Sequence, residues 1–155
     1  MNDEERFSNP VEARKKAMDY LARREHARGE LERKLETAGF EASVAADAVR
    51  RLAEEGLQSD RRFVQSFSQS RIGQGKGPVR IHSELGERGI PAGLIDEILA
   101  ESSEDWHSLA REVRVKKFGR ALPADFKDKA RQMRFLQYRG FEPDQIQHAV
   151  SAHAE

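Results

Sequence analysis

The stretch Leu35-Glu-Thr-Ala-Gly39-Phe40 has two later counterparts, which read Leu85-Gly-Glu-Arg-Gly89-Ile90 and Leu136-Gln-Tyr-Arg-Gly140-Phe141. The three glycines recur at intervals of 50 and 51 residues. A leucine, three residues and then a glycine predict the end of a helix, because glycine adopts the left-handed conformation of a helix C-cap without steric penalty. The apolar residue after each glycine is expected to fold back onto the last helical turn.

Helical patterns flank each copy of this motif. Downstream, apolar residues follow at helical spacing, and Pro91 and Pro143 stand where a first helical turn tolerates proline. Upstream, further helices are predicted over residues 11–24, 60–72 and 104–118. In the first of these, Val11, Met18 and Leu21 form the apolar face. Each repeat therefore contains three helices, and we expect nine helices in the chain.

The predicted fold is all-α, with three tandem three-helix repeats forming an elongated curved body. A unit of about fifty residues buries too little surface to be stable alone, so neighbouring units are expected to stack. We expect a disordered N-terminal tail over residues 1–9, followed by repeats at 10–57, 58–101 and 102–155. The glycine-rich segment Gly73-Gln-Gly75-Lys-Gly77-Pro78 is predicted to be a flexible hinge or loop.

The composition excludes several classes of protein. There is no cysteine among the 155 residues, so disulfide frameworks and thiolate metal sites are ruled out. No apolar run approaches the length of about 20 residues that a membrane span needs. The polar N-terminus lacks the pattern of a secretory signal, and we expect a soluble, cytoplasmic protein without a membrane partner.

Catalytic and metal-binding motifs are not recognised. The five histidines are scattered, and none has the spacing of a helical zinc pair. The segment from Gly73 to Gly77 lacks the glycine spacing and the Ser or Thr of a phosphate-binding P-loop. No nucleophile stands beside a plausible base. We therefore predict no enzymatic activity, no cofactor and no metal.

Charge is distributed unevenly along a chain whose formal net charge is zero. Residues 61–88 carry a local charge of +4 and residues 111–139 a local charge of +7, whereas residues 89–110 contain five acids and no Lys or Arg. Such blocks suggest a surface that contacts a charged partner at defined places. Ordinary solvated helix faces are the alternative interpretation.

Two motifs resemble the signatures of a known family. The first is Leu57-Gln-Ser-Asp60-Arg-Arg-Phe63-Val-Gln-Ser-Phe67-Ser-Gln-Ser-Arg71, followed by Lys76-Gly77-Pro78-Val79-Arg80-Ile81-His-Ser-Glu84-Leu85. The second is Arg134-Phe135-Leu136-Gln-Tyr-Arg139-Gly140-Phe141. Together they resemble the RecX family, whose members often have Tyr where this chain has Lys76. The resemblance runs from about residue 17 to residue 150.

The resemblance implies a non-enzymatic regulator. Members of the family bind the filament that RecA forms on single-stranded DNA and lie along its helical groove. They reduce strand exchange, ATP hydrolysis and the coprotease activity that triggers the SOS response. On this basis the expected partner is the RecA filament, with weak or indirect contact to single-stranded DNA, and the chain is expected to be a monomer.

Candidate binding residues come from the two basic blocks, because the planar guanidinium of arginine makes paired hydrogen bonds with carboxylates and phosphates. The candidates are Arg71, Lys76, Arg80, Arg131, Arg134 and Arg139. An opposing interpretation is that some of them tie helices together, as the i,i+4 pair of Arg80 and Glu84 suggests. The aromatic residues expected in the core rather than in base stacking are Phe63, Phe67, Trp106, Phe126 and Phe135. The location of Tyr138 is left open.

Two other functions are kept as alternatives. Three-helix units resemble helix-turn-helix domains, so the second hypothesis is a direct DNA-binding helical module that acts without RecA. That function predicts binding to naked DNA with a steep dependence on salt. The third alternative is a generic helical-repeat adaptor or an unrecognised enzyme.

Overall fold

The computed structural model of the protein describes residues 1–151, which form ten helices and no strand. The helices are α1 (Asp3–Phe7), α2 (Pro10–Arg23), α3 (Arg28–Thr37), α4 (Ala42–Glu54), α5 (Asp60–Gly73), α6 (Pro78–Glu87), α7 (Ala92–Glu101), α8 (Trp106–Phe118), α9 (Phe126–Arg139) and α10 (Pro143–Val150). The prediction of an all-α fold is confirmed. None of these helices has the length and hydropathy of a membrane span.

The repeated glycine motif ends three helices as predicted. Gly39, Gly89 and Gly140 have positive φ angles of 116°, 80° and 97°. After α3 the amide of Phe40 donates to the carbonyl of Leu35 over 3.0 Å, and after α9 the amide of Phe141 donates to the carbonyl of Leu136 over 3.2 Å. These bonds satisfy carbonyls that the helix end would leave open. The apolar residue after each of the three glycines is buried.

Contacts divide the chain into two compact units. The first comprises residues 1–66 and 86–94, and the second comprises residues 67–85 together with residues 95–151. In the first unit, α2 and α3 pack against α4 around Leu31, Leu35 and Val49. In the second unit, α8 and α9 pack against α10 around Leu136 and other buried residues.

The buried face of α2 differs from the predicted one. Ala13 and Ala17 are fully buried, whereas Val11 is 71% exposed and Met18 is 38% exposed. Small side chains let two helices approach closely, so this interface is built from alanines. Leu21, the third residue of the predicted face, does pack against the core of the first unit. The prediction is therefore wrong for Val11 and Met18, because larger apolar side chains carry more weight in a sequence pattern than alanines do.

The N-terminus also differs from the expected disordered tail over residues 1–9. Asn2 caps α1 by accepting a hydrogen bond of 2.8 Å from the amide of Glu5. Phe7 packs edge-on against Phe40 with ring centroids 5.4 Å apart, and its carbonyl accepts a hydrogen bond from the amide of Glu41. The side chain of Phe7 anchors this first turn, which is the reason why the segment adds a tenth helix to the nine predicted.

Candidate functional site

The candidate site lies in the second unit, where the segment 74–77 meets the end of α9. The amide of Gly77 donates to the carbonyl of Arg139 over 2.8 Å, and the amide of Val79 donates to the carbonyl of Gly140 over 2.9 Å. The guanidinium of Arg139 donates to the carbonyl of Gln74 over 3.0 Å. The segment between α5 and α6 is a loop, one of the two predicted alternatives, and these three hydrogen bonds fasten it to the end of α9.

Glycine is required on both sides of this contact. A Cβ atom on Gly77 would overlap the carbonyl group of Gly140, and a Cβ atom on Gly140 would overlap the Cβ of Arg80. Gly140 additionally has a positive φ of 97°, which side chains rarely adopt. Gly77 and Gly140 thus allow two backbones to approach closely.

Three predicted cations gather around this backbone contact. Burial lowers the pKa of Lys76, and the positive charges of Arg80 and Arg139 lower it further. The three cations repel one another because Lys76 and Arg80 flank the residues 77–79 that are hydrogen-bonded to Arg139 and Gly140. A concentration of like charge favours an anion, because a bound carboxylate or phosphate relieves the repulsion among the cations.

Arg71 completes the group but is more engaged within the protein. Its guanidinium lies 4.2 Å from the centroid of the Phe67 ring and 3.4 Å from the carboxylate of Glu84. Glu84 also pairs with Arg80 at 3.7 Å, as the i,i+4 spacing predicted. One carboxylate thus neutralises part of the charge of two arginines and holds both in place. The surface formed by Arg71, Lys76, Arg80, Arg139 and Tyr138 is called the cationic cluster below.

Tyr138 is the residue of the cationic cluster that the sequence did not assign. Its side chain is 72% exposed, and the guanidinium of Arg80 lies 5.2 Å from the centroid of its ring. Arg80 also donates to the carbonyl of Tyr138 over 3.4 Å. An exposed ring beside cations offers a stacking surface for a base or for another planar group. Its position two residues after the buried Leu136, off the apolar stripe of α9, was the available signal.

The remaining two predicted residues, Arg131 and Arg134, lie on α9, but in the described part of the chain no side-chain hydrogen bond, ion pair or ring contact joins them to the cationic cluster. Arg131 pairs with Asp128 at 2.8 Å, and its guanidinium lies 4.9 Å from the centroid of the Phe118 ring. Arg134 is exposed, and no carboxylate of residues 1–151 lies within ion-pair distance of it. The structure therefore assigns four of the six candidates to one site and gives Arg131 and Arg134 different neighbours.

The aromatic residues expected in the core are only partly there. Phe63 is buried, and Phe67, Trp106 and Phe135 are half-buried. Phe126, in contrast, is 87% exposed, so its assignment to the core is wrong. It is the first residue of α9 and lies outside the face of that helix that packs against α8 and α10.

Within residues 1–151 no group of three or more histidine and carboxylate side chains is arranged to hold a metal ion. The polar groups of the cationic cluster are almost all cations, which lack the base and nucleophile of a catalytic constellation. The site is suited to binding an anionic partner through charge and stacking.

Comparison with known proteins identifies the family. Family models described as the first, second and third three-helix domains of RecX match residues 13–52, 59–99 and 103–150. The chain is similar to the regulatory protein RecX of Pseudomonas entomophila, with 47% identity over 145 residues that cover 94% of each chain. It is also similar to the regulatory protein RecX of Halorhodospira halophila, with 46% identity over 88% of this chain and 84% of the relative.

Solved structures agree on the fold. A crystal structure of regulatory protein RecX matches with a TM-score of 0.73 and 19% identity over 90% of this chain and 72% of that chain. RecX from Lactobacillus salivarius matches with a TM-score of 0.72 and 20% identity over 91% of this chain and 94% of that chain. The relatives are named as regulatory proteins, in agreement with the prediction that the chain is not an enzyme. The three matched domains and the identity across nearly the whole chain show that this protein belongs to the RecX family.

Proposed function

We propose that the chain regulates RecA by binding along the groove of the RecA–single-stranded DNA filament and inhibiting its recombinase, ATPase and coprotease activities. Through these activities it acts in homologous recombination, DNA repair and the SOS response, as a monomer in the cytoplasm. The observation that supports this proposal best is the cationic cluster, which joins positive charge to the exposed ring of Tyr138. A nucleoprotein filament presents phosphates, bases and acidic side chains, all of which this surface is able to contact.

The arrangement of the cationic cluster suits a partner with repeating charge. Its backbone is fastened by hydrogen bonds between residues 77–79 and 139–140, so little loop entropy is lost when a ligand binds. Arg80 lies against both Tyr138 and Glu84, which limits the rotamers of a long side chain before binding. Preorganised cations are expected to strengthen binding without any new contact.

The first test measures RecA ATPase on single-stranded DNA against increasing concentrations of the regulator. We compare wild type with Tyr138→Ala and with the double variant Lys76→Gln, Arg80→Gln. The matched control is Lys15→Gln, an exposed lysine of α2 in the first unit. Tyr138→Ala and the double variant are each expected to need at least about tenfold more protein for half inhibition, which corresponds to about 1.4 kcal/mol of binding free energy. Lys15→Gln should inhibit like the wild type. Unchanged ATPase and strand exchange with excess wild-type protein would refute the proposal.

Direct DNA binding without RecA is a second candidate, favoured by the exposed Tyr138 beside Arg80. It predicts that the affinity for a naked single strand equals the affinity for the filament, and that it falls steeply with salt. Measuring both affinities by fluorescence anisotropy at physiological salt separates the two functions. A much tighter complex with the filament supports the RecA regulator, whereas equal affinities support the DNA-binding module.

A further inference from the structure

The second unit carries an apolar groove that the cationic cluster does not use. Its volume is about 750 Å³, and its walls come from α9, α10 and the first turn of α6. The larger apolar residues that line it are Val79, Phe126, Met133, Phe141, Pro143 and Ile146. This space, called the α9–α10 groove below, is large enough to receive several side chains of a partner.

Two of the lining residues are unusually exposed for their size. Phe126 is 87% exposed and Val79 is 50% exposed. Scattered exposed apolar residues are common on protein surfaces, but these two border one continuous apolar depression. Phe126 adds nothing to the core of its own helix, so its burial becomes favourable when an apolar partner covers it.

The rim of the α9–α10 groove carries positive charge without a counter-ion. Lys129 and Arg134 both line it, and within residues 1–151 neither has a carboxylate at ion-pair distance. Arg131 on the same helix differs, because Asp128 neutralises it at 2.8 Å. An apolar floor next to two uncompensated cations is complementary to apolar side chains flanked by carboxylates.

We propose that the α9–α10 groove binds an acidic, amphipathic segment of a partner protein that inserts bulky apolar side chains between α9 and α10. The charge of the rim selects Asp and Glu beside these anchors, as in other grooves that accept one face of an amphipathic helix. A nucleic acid fits less well, because Met133 and Ile146 offer aliphatic surface where bases prefer flat rings and phosphates need donors. This inference goes beyond the proposed function and does not depend on RecA.

The experiment measures binding of a fluorescein-labelled peptide to the full chain, without RecA or DNA. The probe is an 18-residue peptide with Leu and Phe at helical spacing and Glu at the other positions. One control peptide has Ala in place of Leu and Phe, and another has Lys in place of Glu. Protein variants are Phe126→Ala and Arg134→Glu, with Leu122→Ala and Lys127→Glu as matched controls that do not line the groove. Phe126 and Leu122 are both exposed, so neither substitution removes core packing.

The proposal expects saturable binding of the acidic peptide and no binding of either control peptide. Phe126→Ala and Arg134→Glu should each weaken the affinity at least about tenfold, the effect of one lost hot-spot contact. Lys127→Glu and Leu122→Ala should leave it unchanged. Circular dichroism checks that all variants keep the wild-type helix content.

Three results would overturn the proposal. The first is the absence of saturable binding, or equal binding by wild type and Phe126→Ala. The second is displacement of the peptide by oligo(dT) together with loss of oligo(dT) binding in Phe126→Ala, which would assign the groove to nucleic acid. The third is a dimer in sedimentation that Phe126→Ala dissociates, which would assign the groove to a second copy of this chain.

Discussion

The carbonyl group of Gly140 occupies the place where a side chain on Gly77 would begin. The two backbones are joined beside this contact by the hydrogen bonds from Gly77 to Arg139 and from Val79 to Gly140. Three cations of the cationic cluster lie at this contact, since Lys76 and Arg80 flank residues 77–79 and Arg139 is itself a bonded residue. Their geometry therefore depends on a contact in which no side chain participates.

Gly77→Ala is expected to destabilise the protein by about 1–3 kcal/mol, because the added methyl group forces the backbones of 77 and 140 apart. Urea denaturation followed by circular dichroism measures the change. The matched control is Gly73→Ala at the last position of α5, where a methyl group meets no atom within 4 Å. The control should be neutral or stabilising by up to about 1 kcal/mol, since alanine reduces the freedom of the unfolded chain. Equal stability of both variants would contradict the close backbone contact.

Arg114→Lys is expected to destabilise the protein by about 1–3 kcal/mol. Arg114 is only 2% exposed, and its guanidinium donates to the carbonyl of Ala121 and to the side chain of Gln132. Burial lowers the pKa of Arg114, and no carboxylate lies within ion-pair distance among residues 1–151. Both hydrogen bonds come from one nitrogen, Nη1. Lysine keeps the charge but replaces the weakly hydrated planar guanidinium with a compact, strongly hydrated ammonium, which costs more to bury at this position. Thermal denaturation is the measurement, and Arg120→Lys at an exposed position is the control, expected to have no effect.

His26 predicts a loss of stability at mildly acidic pH. The side chain is 1% exposed, its Nδ1 lies 3.0 Å from the carbonyl of Arg24, and its Nε2 lies 2.9 Å from the ammonium of Lys34. Burial and the neighbouring positive charges lower the pKa of His26 below its usual 6.5. As the pH falls below 6.5 the unfolded chain takes up a proton that the native state refuses, so the free energy of unfolding decreases.

The measurement is urea denaturation at several values between about pH 7.5 and 5.5, above the usual range of the carboxylates. His26→Gln should reduce the dependence of stability on pH, because it removes the buried group that takes up a proton only on unfolding. The same slope in wild type and His26→Gln would show that His26 does not contribute.

Phe7→Ala is expected to lower the free energy of unfolding by about 1–3 kcal/mol, because a half-buried ring that packs on Phe40 is removed. Val11→Ala, at a position that is 71% exposed, should change it by less than about 0.5 kcal/mol. Chemical denaturation compares the two variants. If Phe7→Ala had the same free energy of unfolding as the wild type, α1 would not be held by this ring.

Local rules predicted the helix ends well and the packing less well. The C-caps at Gly39, Gly89 and Gly140 follow from the conformational freedom of one residue, which is visible in the sequence itself. The burial of Ala13 and the exposure of Phe126 depend on what other helices cover, and periodicity alone does not contain that information. The anchoring of α1 likewise depends on a distant ring, Phe40.

The candidate site shows the same division. Its positive charge was evident from the basic blocks of the sequence. The neutralisation of two arginines by Glu84 and the stacking of Arg80 on Tyr138 arise from tertiary contacts. The sequence did not predict that the glycine-rich segment is fastened to α9. Glycine is typical both of flexible loops and of places where two backbones approach closely, and the sequence alone does not distinguish the two.

The contact between residues 74–80 and residues 138–140 also determines when the cationic cluster forms during synthesis of the chain. Arg139 and Gln74 are 65 residues apart in the chain, and Arg80 and Tyr138 are 58 residues apart. During synthesis the first partner of each pair leaves the ribosome long before the second, and the pairing waits for α9 to emerge. A chain that stops before Tyr138 therefore carries the cations of α5 and α6 without the partners that arrange them, and synthesis through Arg139 is a condition for assembling the cationic cluster.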